Sequence, residues 1–330
     1  MPYCPHCGTE VEASYLFCPE CGCSLREIPR EPVGFFSVVK NGLSSLLVFR
    51  SPPPLLRPTD VVYERRPPYS PVRRYLLIGV VIGVVGMFLI NEGYWLTYWG
   101  VTLMALVPPL LYLLWMRRND RYEEEPWGLV LFVVGWGIFV GIFAALLNDL
   151  LMISLLGTPG AAFTEEPLKV LGVYLLARHK KLGREFNDHM DGMVYGAGAG
   201  AGFALMENFH YIFRYSIQGA MPLPAMTMVR AVSALGHLLY TGLTGRVLGY
   251  AKARRGYIVR SDFIAALIPA VILHFLWNAS PAPISLFILA PLYALIFYRN
   301  VKAAQRDEEL WGFRIRAPWS RRITPEGFHT

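Results

Sequence analysis

Residues 127–147 read WGLVLFVVGWGIFVGIFAALL, a run of 21 residues without a charged side chain. As an α-helix this run would be about 31 Å long, which matches the hydrocarbon core of a bilayer. The whole chain of 330 residues has the same character, because 54% of its residues are hydrophobic, only 17% are charged and the mean hydropathy is +0.37. This composition excludes an ordinary soluble enzyme and a largely disordered protein.

Seven further segments are long enough to cross a membrane, so we expect an all-α polytopic membrane protein with about eight transmembrane helices. The predicted spans are 75–90, 95–116, 127–147, 161–177, 192–213, 225–250, 262–279 and 284–298. Loops and flanks on one side of these spans carry 18 of the 31 Lys and Arg residues, and those on the other side carry only Arg214. The positive-inside rule then places both termini in the cytoplasm of a protein of the cell (plasma) membrane. Because the basic residues are spread over five inner loops, we expect no nucleic-acid partner.

All five cysteines lie within the first 23 residues. Four of them form two CPxC knuckles separated by ten residues, a spacing that allows four thiolates to bind one zinc ion: Cys4, Cys7, Cys18 and Cys21. The pattern resembles short zinc-ribbon modules. Disulfides are the alternative, but a cytoplasmic N terminus would be in a reducing compartment, which favours zinc. A ribbon of this size has almost no core, so its zinc would stabilise the fold.

Between the ribbon and the first predicted span lie an amphipathic segment and a proline-rich segment. Residues 35–49 place Phe36, Leu43 and Leu47 on one helical face and polar side chains on the other, which predicts a helix lying on the membrane surface. Residues 51–74 contain seven prolines among five arginines and predict an extended linker. The expected domains are a zinc ribbon at 1–25, an interfacial helix and Pro/Arg-rich linker at 26–74, an eight-helix transmembrane domain at 75–300 and a basic, aromatic cytoplasmic tail at 301–330.

Ionisable side chains inside four predicted spans are the candidate functional residues, because burying such a group in lipid is costly. With two neighbouring asparagines they are Glu165, Glu166, Lys169, Glu207, Asn208, His237, His274 and Asn278. Counted from the inner ends of their spans, the carboxylates and imidazoles lie about 11 to 15 residues in, which places them roughly 17 to 22 Å above the cytoplasmic face. Scattered structural polar residues have no reason to share one depth, so this layer predicts a site.

Carboxylates and imidazoles can activate water, either through a metal ion that they bind or as a direct general base with imidazole partners. His274 and Asn278 are four residues apart on one helical face and can donate hydrogen bonds to the same oxyanion. Lys169 is close enough in the helix to keep Glu165 or Glu166 ionised. We expect Thr164 to be the N-cap of this helix, with Pro167 in the first turn.

These motifs resemble the PrsW family of intramembrane proteases, which are distant relatives of the CAAX prenyl endopeptidases and the Abi group. The matching stretches are Glu165-Glu166-Pro-Leu-Lys169, the segment 191–211, His237, and His274-Phe-Leu-Trp-Asn278. The resemblance implies an endopeptidase that cleaves a membrane-anchored protein in the outer half of the bilayer, with anti-sigma factors as the known substrate class. Two features of this chain differ from the CAAX relatives. Their EExxxR motif has an arginine, where this chain has Lys169 at a shorter spacing, and their FxxxH motif has an aromatic residue where this chain has Ser233.

Analogy with the CAAX relatives implies roles for the individual side chains. Glu165 with His237 would activate water, and His274 with Asn278 would bind the oxyanion. Glu207, His237 and His274 are candidates for the ligands of a second, catalytic divalent metal. Lys169 is expected to be a charge partner.

The alternative is a non-enzymatic transporter or receptor in which Glu207 and the histidines form an ion path and the zinc ribbon docks a cytosolic partner. Several residues near the layer have structural explanations. We expect Asp191 to cap a helix and Arg230 to pair with a carboxylate or to extend outward. The alternating Gly and Ala residues at 196–202 would allow another helix to approach closely.

Overall fold

The computed structural model describes residues 10, 33–47, 72–90, 92–120, 125–148, 156–217, 219, 221–255 and 257–311. Nine helices of ten or more residues account for most of this part of the chain, and it contains no β-strand. They are α1 (Phe35–Ser44), α2 (Val72–Leu89), α3 (Tyr94–Asn119), α4 (Trp127–Leu147), α5 (Ala161–Arg178), α6 (His189–Tyr211), α7 (Leu223–Arg255), α8 (Arg260–Ala279) and α9 (Ala290–Trp311). The four zinc-ribbon cysteines, the segment 51–71 and the tail after residue 311 lie outside the described residues.

Each of the eight predicted spans contains a helix. Four segments are both long and apolar enough to cross a membrane, namely Trp95–Asn119, Trp127–Ala144, Arg260–Ala279 and Ala282–Asp307. Their outer surfaces carry exposed large apolar side chains, such as Leu131, Phe132 and Phe139 of α4, as expected for helices in contact with lipid. The helical membrane fold is confirmed, and the number of eight spans stays a prediction.

Helix α6 lies at the centre of the bundle, because every residue from His189 to Ala204 is buried. Its glycines bring main chain against main chain. A Cβ atom on Gly192, Gly196 or Gly200 would overlap carbonyl oxygens of α7, and one on Gly202 would overlap the carbonyl oxygen of Val134 in α4. The predicted close approach of helices at the Gly/Ala run is therefore confirmed, and it holds α7 in a fixed position against α6.

Helix α1 packs against the bundle partly through the face that carries its polar residues. Val38, Asn41 and Gly42 are buried, and Gly42 lies against Val247 of α7 and Pro269 of α8. Phe36 is 82% exposed. Leu43 and Leu47 of the apolar face are also exposed, while Val39 and Leu46 of the same face pack against the core. The position of α1 on the membrane surface stays a prediction.

Two predictions about helix ends had different outcomes. Asp191 caps α6 in a reciprocal capping box with Asp188, as expected. The prediction that Thr164 caps α5 is wrong, because α5 begins at Ala161 after a 3-10 turn at Thr158–Gly160. The alanine at the start of α5 favours helix, and Pro167 in the interior removes only one hydrogen bond, so the helix starts one turn earlier than the motif indicates.

Candidate active site

Four helices place the predicted ionisable residues in one buried layer. Helix α5 supplies Glu165, Glu166 and Lys169, and α6, α7 and α8 supply Glu207, His237 and His274 respectively. The side chain of Glu207 is 23% exposed, whereas the other five are at most 7% exposed. The shared depth expected from the sequence is therefore a shared site in three dimensions.

Lys169 is the cation at the centre of this layer. Its Nζ lies 2.5 Å from Glu166 Oε1 and 3.1 Å from His237 Nδ1, and it also lies over the ring of Phe203. The same Glu166 oxygen is 2.7 Å from His274 Nδ1. Lys169 and Glu166 therefore connect the two histidines, and they compensate each other's charge in a place where an unpaired ion would be costly.

A second group of polar residues holds His237 from the other side. Its Nε2 is 2.6 Å from Glu207 Oε2, and Arg230 Nη2 donates to the same oxygen at 2.5 Å. Arg230 Nε also donates to Asn208 Oδ1 at 3.0 Å, and its guanidinium lies over the ring of Tyr211. Of the two expectations for Arg230, pairing with a carboxylate is confirmed.

The two adjacent glutamates have different hydrogen-bond partners. Glu165 Oε1 accepts a hydrogen bond of 2.8 Å from Asn148 Nδ2. Its Oε2 is buried and has no hydrogen-bond partner among the described residues. This oxygen lies 3.7 Å from His274 Nε2 and 4.0 Å from Lys169 Nζ. Glu165 thus keeps one oxygen available to a ligand, whereas Glu166 is tied to Lys169 and His274.

Asn278 lies one turn beyond His274 in α8 and is partly exposed. Its Nδ2 donates weakly, at 3.4 Å, to the carbonyl oxygen of Thr158 in the 3-10 turn before α5. Within the part of the chain that the structure describes it forms no hydrogen bond to the buried layer, so its expected role in binding an oxyanion stays a prediction.

Sequence reasoning missed two residues of the site. Asn148 stands at the boundary between a predicted span and a predicted outer loop, and no motif marks it. Tyr240 lies one turn after His237, and its ring stacks on that of His274 with centroids 5.0 Å apart. The spacing of three residues on one helical face was a usable signal for Tyr240, because such residues are neighbours on a helix.

Glu165, His237 and His274 could together hold a metal ion. One ligand atom from each lies within 4.8 Å of the others, and all three residues are buried. One carboxylate and two imidazoles are a donor set of catalytic zinc sites. Each imidazole also contacts a further carboxylate, Glu166 for His274 and Glu207 for His237, as metal-binding histidines commonly do. This leaves Nε2 of His274 open, whereas Nδ1 of His237 would become a ligand only when the Lys169 ammonium, 3.1 Å away, leaves it. The residues therefore fit a zinc-type ion. This set contains Glu165, whereas the expectation from sequence was Glu207, and the ligands stay a prediction.

The comparisons with known proteins agree with this site. A model of the PrsW family, described as intramembrane metalloproteases, matches residues 125–301, and a zinc-ribbon domain model matches residues 3–25. Protease PrsW of Clostridioides difficile (strain 630) is 29% identical over 188 residues, which are 52% of this chain and 75% of that protein. Protease PrsW of Oceanobacillus iheyensis is 31% identical over 128 residues, 38% of this chain and 56% of the relative. Protease PrsW of Bacillus subtilis (strain 168) is 26% identical over 181 residues, 50% of this chain and 77% of the relative. No solved structure matches.

The family match covers more than half of the chain and includes the whole buried layer. It confirms the expected peptidase that acts within the membrane on a protein substrate, and it gives no support to a transporter or receptor. The predicted ribbon is confirmed as a zinc-ribbon domain. The chain belongs to the PrsW family of intramembrane metalloproteases.

Proposed function

We propose that Glu165, Glu166, Lys169, His237 and His274 carry out the hydrolysis, and that they cleave a membrane-anchored protein in the outer half of the bilayer. The supporting observation is the position of Glu165 Oε2, which is buried, lacks a hydrogen-bond partner among the described residues and faces His274 Nε2 at 3.7 Å. An anti-sigma-factor-like protein with a single span is the proposed substrate class.

Glu165 is the proposed proton carrier. Its carboxylate accepts a proton from the attacking water and delivers it to the amine nitrogen when the peptide bond breaks. Glu166 is less suited to this task, because its Oε1 is held by the Lys169 ammonium at 2.5 Å and by His274 at 2.7 Å. Glu166 instead keeps Lys169 and His274 in place.

The negative charge that forms on the carbonyl oxygen needs a partner. His274 Nε2 is the imidazole nitrogen not engaged by Glu166, and Asn278 follows one turn later on the same face of α8. We propose that these two groups donate to the oxyanion, with Asn278 exchanging its weak bond to Thr158 for one to the substrate.

If the site takes a divalent ion, Glu165, His237 and His274 would hold it. His274 Nε2, the nitrogen that Glu166 leaves open, would then bind the ion, and Asn278 alone would donate to the oxyanion. When bound, the ion would acidify the water and polarise the carbonyl group, and zinc is the ion that this donor set favours. Lys169 Nζ lies 4.0 Å from Glu165 Oε2 and 3.1 Å from His237 Nδ1, so the ammonium would have to leave the imidazole and stay on Glu166 when these three residues hold an ion.

The experiment combines cleavage with a zinc count on the full-length protein in detergent. Glu165→Ala and Glu166→Ala are compared with Glu92→Ala, a change at an exposed glutamate between α2 and α3. We expect both layer variants to be inactive and Glu92→Ala to cleave a single-span anti-sigma factor normally. Loss of one zinc in Glu165→Ala, with the ribbon zinc retained, would assign Glu165 as a ligand, and retention of all zinc would assign it to proton transfer alone. Cleavage by Glu165→Ala would overturn the proposal.

We also propose the orientation with both termini in the cytoplasm of the plasma membrane, which rests on the 18 basic residues of the inner loops and flanks. In this orientation the ribbon at 1–25 is available to a cytosolic partner. Labelling of single cysteines with a membrane-impermeant reagent tests it, because a cysteine at residue 92 should react from outside intact cells and one at residue 181 should not.

A further inference from the structure

We propose that Asn148 is a positioning residue that fixes the carboxylate of Glu165 for hydrolysis, an inference that rests on the function proposed above. Asn148 directly follows α4, and its side chain is buried at 7% exposure. It reaches across to α5, where it contacts Glu165 and the preceding Thr164. Asn148 thus brings the end of α4 into contact with the buried layer, to which α5 to α8 contribute the ionisable groups.

The orientation of the Asn148 amide follows from its partners. Its Nδ2 donates to Glu165 Oε1 at 2.8 Å, and its Oδ1 accepts from the hydroxyl of Thr164. An ionised carboxylate can only accept hydrogen bonds, so the amide nitrogen must face Glu165 and the amide oxygen must face the hydroxyl. Rotation of the amide by half a turn would lose the bond to Glu165 and place an amide oxygen against its carboxylate, although the Thr164 hydroxyl could then accept from the amide nitrogen and donate to the carbonyl oxygen of Ala161 at 3.0 Å. The contact with Glu165 therefore sets the orientation of the amide.

This arrangement distinguishes the two oxygens of Glu165. Oε1 is engaged by Asn148, which leaves Oε2 as the oxygen that faces His274 Nε2 and Lys169 Nζ. Without Asn148 the carboxylate could turn about its last torsion, which is broad for glutamate. A half turn only exchanges two equivalent oxygens, but at intermediate angles neither oxygen faces His274 Nε2, so the reactive geometry would be populated for only part of the time. Asn148 therefore acts on the reaction through Glu165.

A purely structural role would be to join α4 to α5, and a second hydrogen bond joins these two helices. The indole Nε1 of Trp136 in α4 donates to the carbonyl oxygen of Leu168 in α5 at 2.9 Å, and its ring packs against Gly172. Trp136 and Leu168 pack against the cluster that contains Phe203, whose ring contacts Lys169 and His237, but among the described residues neither forms a hydrogen bond or an ion pair with an ionisable group of the layer. Trp136 therefore provides the matched control for Asn148.

The test compares Asn148→Ala, Asn148→Asp and Trp136→Phe in the full-length protein, with a purified single-span anti-sigma factor as substrate. Asn148→Ala should lower kcat by roughly 10- to 100-fold, the range found when a hydrogen-bond partner of a metal ligand is removed, and leave KM within about twofold. Asn148→Asp has nearly the same shape but presents a carboxylate to Glu165, so it should lose at least as much. Trp136→Phe should unfold at a lower temperature and keep both kcat and KM.

Two results would overturn the inference. One is a wild-type kcat in Asn148→Ala, and the other is an equal loss of kcat in Trp136→Phe, because that loss would come from the packing of α4 on α5. These results are distinguishable from failure of the proposed function. If Glu165→Ala is inactive while Asn148→Ala is normal, only the proposed role of Asn148 is wrong. Activity in Glu165→Ala would contradict both the proposed function and the role of Asn148.

Discussion

Replacement of Gly200 by alanine should damage the active site without changing any of its polar groups. Gly200 lies in α6 against His237 of α7, and a Cβ atom there would stand 2.8 Å from the carbonyl carbon of His237 and 3.0 Å from Leu238 Cα. Carbon atoms pack best at about 3.5 to 4.0 Å, so the two helices would have to move apart by roughly 0.8 Å at this point.

This displacement acts on the residue that carries the imidazole. The hydrogen bond between His237 Nε2 and Glu207 Oε2 is 2.6 Å long, and Glu207 lies two turns after Gly200 on the same face of α6. Stretched by the full displacement, the bond would become about 3.4 Å and lose most of its strength. Overpacking of this kind costs about 1 to 3 kcal/mol of stability, and a misplacement of about 1 Å at a catalytic group can reduce the rate by about 100-fold.

The assay measures thermal unfolding and cleavage of a single-span anti-sigma factor by the purified protein. Gly135→Ala in α4 is the control, because a Cβ atom there meets nothing within 4 Å. Both substitutions replace glycine by alanine within a helix and so share the gain in helix propensity of about 1 kcal/mol. We expect Gly200→Ala to be less stable and about 100-fold slower than Gly135→Ala. Equal stability and activity of the two variants would refute the argument that main-chain contact sets the position of His237.

Lys169→Met should abolish activity and lower the free energy of unfolding by about 3 to 5 kcal/mol, because it leaves Glu166 buried without its cation. Part of that free energy, measured by unfolding in detergent, should be recovered in the double variant that also carries Glu166→Gln. Arg230→Ala should lower kcat because Glu207 loses the guanidinium that holds it, and Arg230→Lys should restore little, because a lysine lacks the planar guanidinium and its several fixed donors. Burial lowers the pKa of Lys252, which lies beyond the predicted span 225–250, to about 8. The unfolded chain therefore keeps this proton to higher pH than the folded chain, and between about pH 8 and pH 10 the melting temperature of the wild type should rise relative to that of Lys252→Met.

Regular helix geometry explains why the layer could be predicted from sequence. A fixed rise per residue converts a position in a span into a depth, so Glu165, Glu207, His237 and His274 could be grouped before any contact was known. The partner of each atom could not be predicted in this way. The bridge from Lys169 to His237 depends on the rotation of α5 and α7 about their axes, which is set by packing.

Other features had no usable signal in the sequence. Asn148 looks like an ordinary polar residue at the end of an apolar run, and its role depends on where the following segment returns. The buried face of α1 was also not predictable, because the lipid side of a membrane protein is as apolar as its interior. Composition likewise finds only four clear spans, since α5 to α7 carry the polar and small residues that the bundle buries.

The contact of α6 with its neighbours through main-chain atoms limits how this protease can be altered. Gly196, Gly200 and Gly202 cannot be replaced by larger residues without moving another helix. These positions of α6 therefore cannot be used to change the cleavage preference. Phe163 at the start of α5 is 47% exposed and Phe275 next to His274 in α8 is partly exposed, with their rings 6.1 Å apart, so both can be changed without moving α6. Libraries for new cleavage preferences should therefore be built at these two positions, with α6 left unchanged.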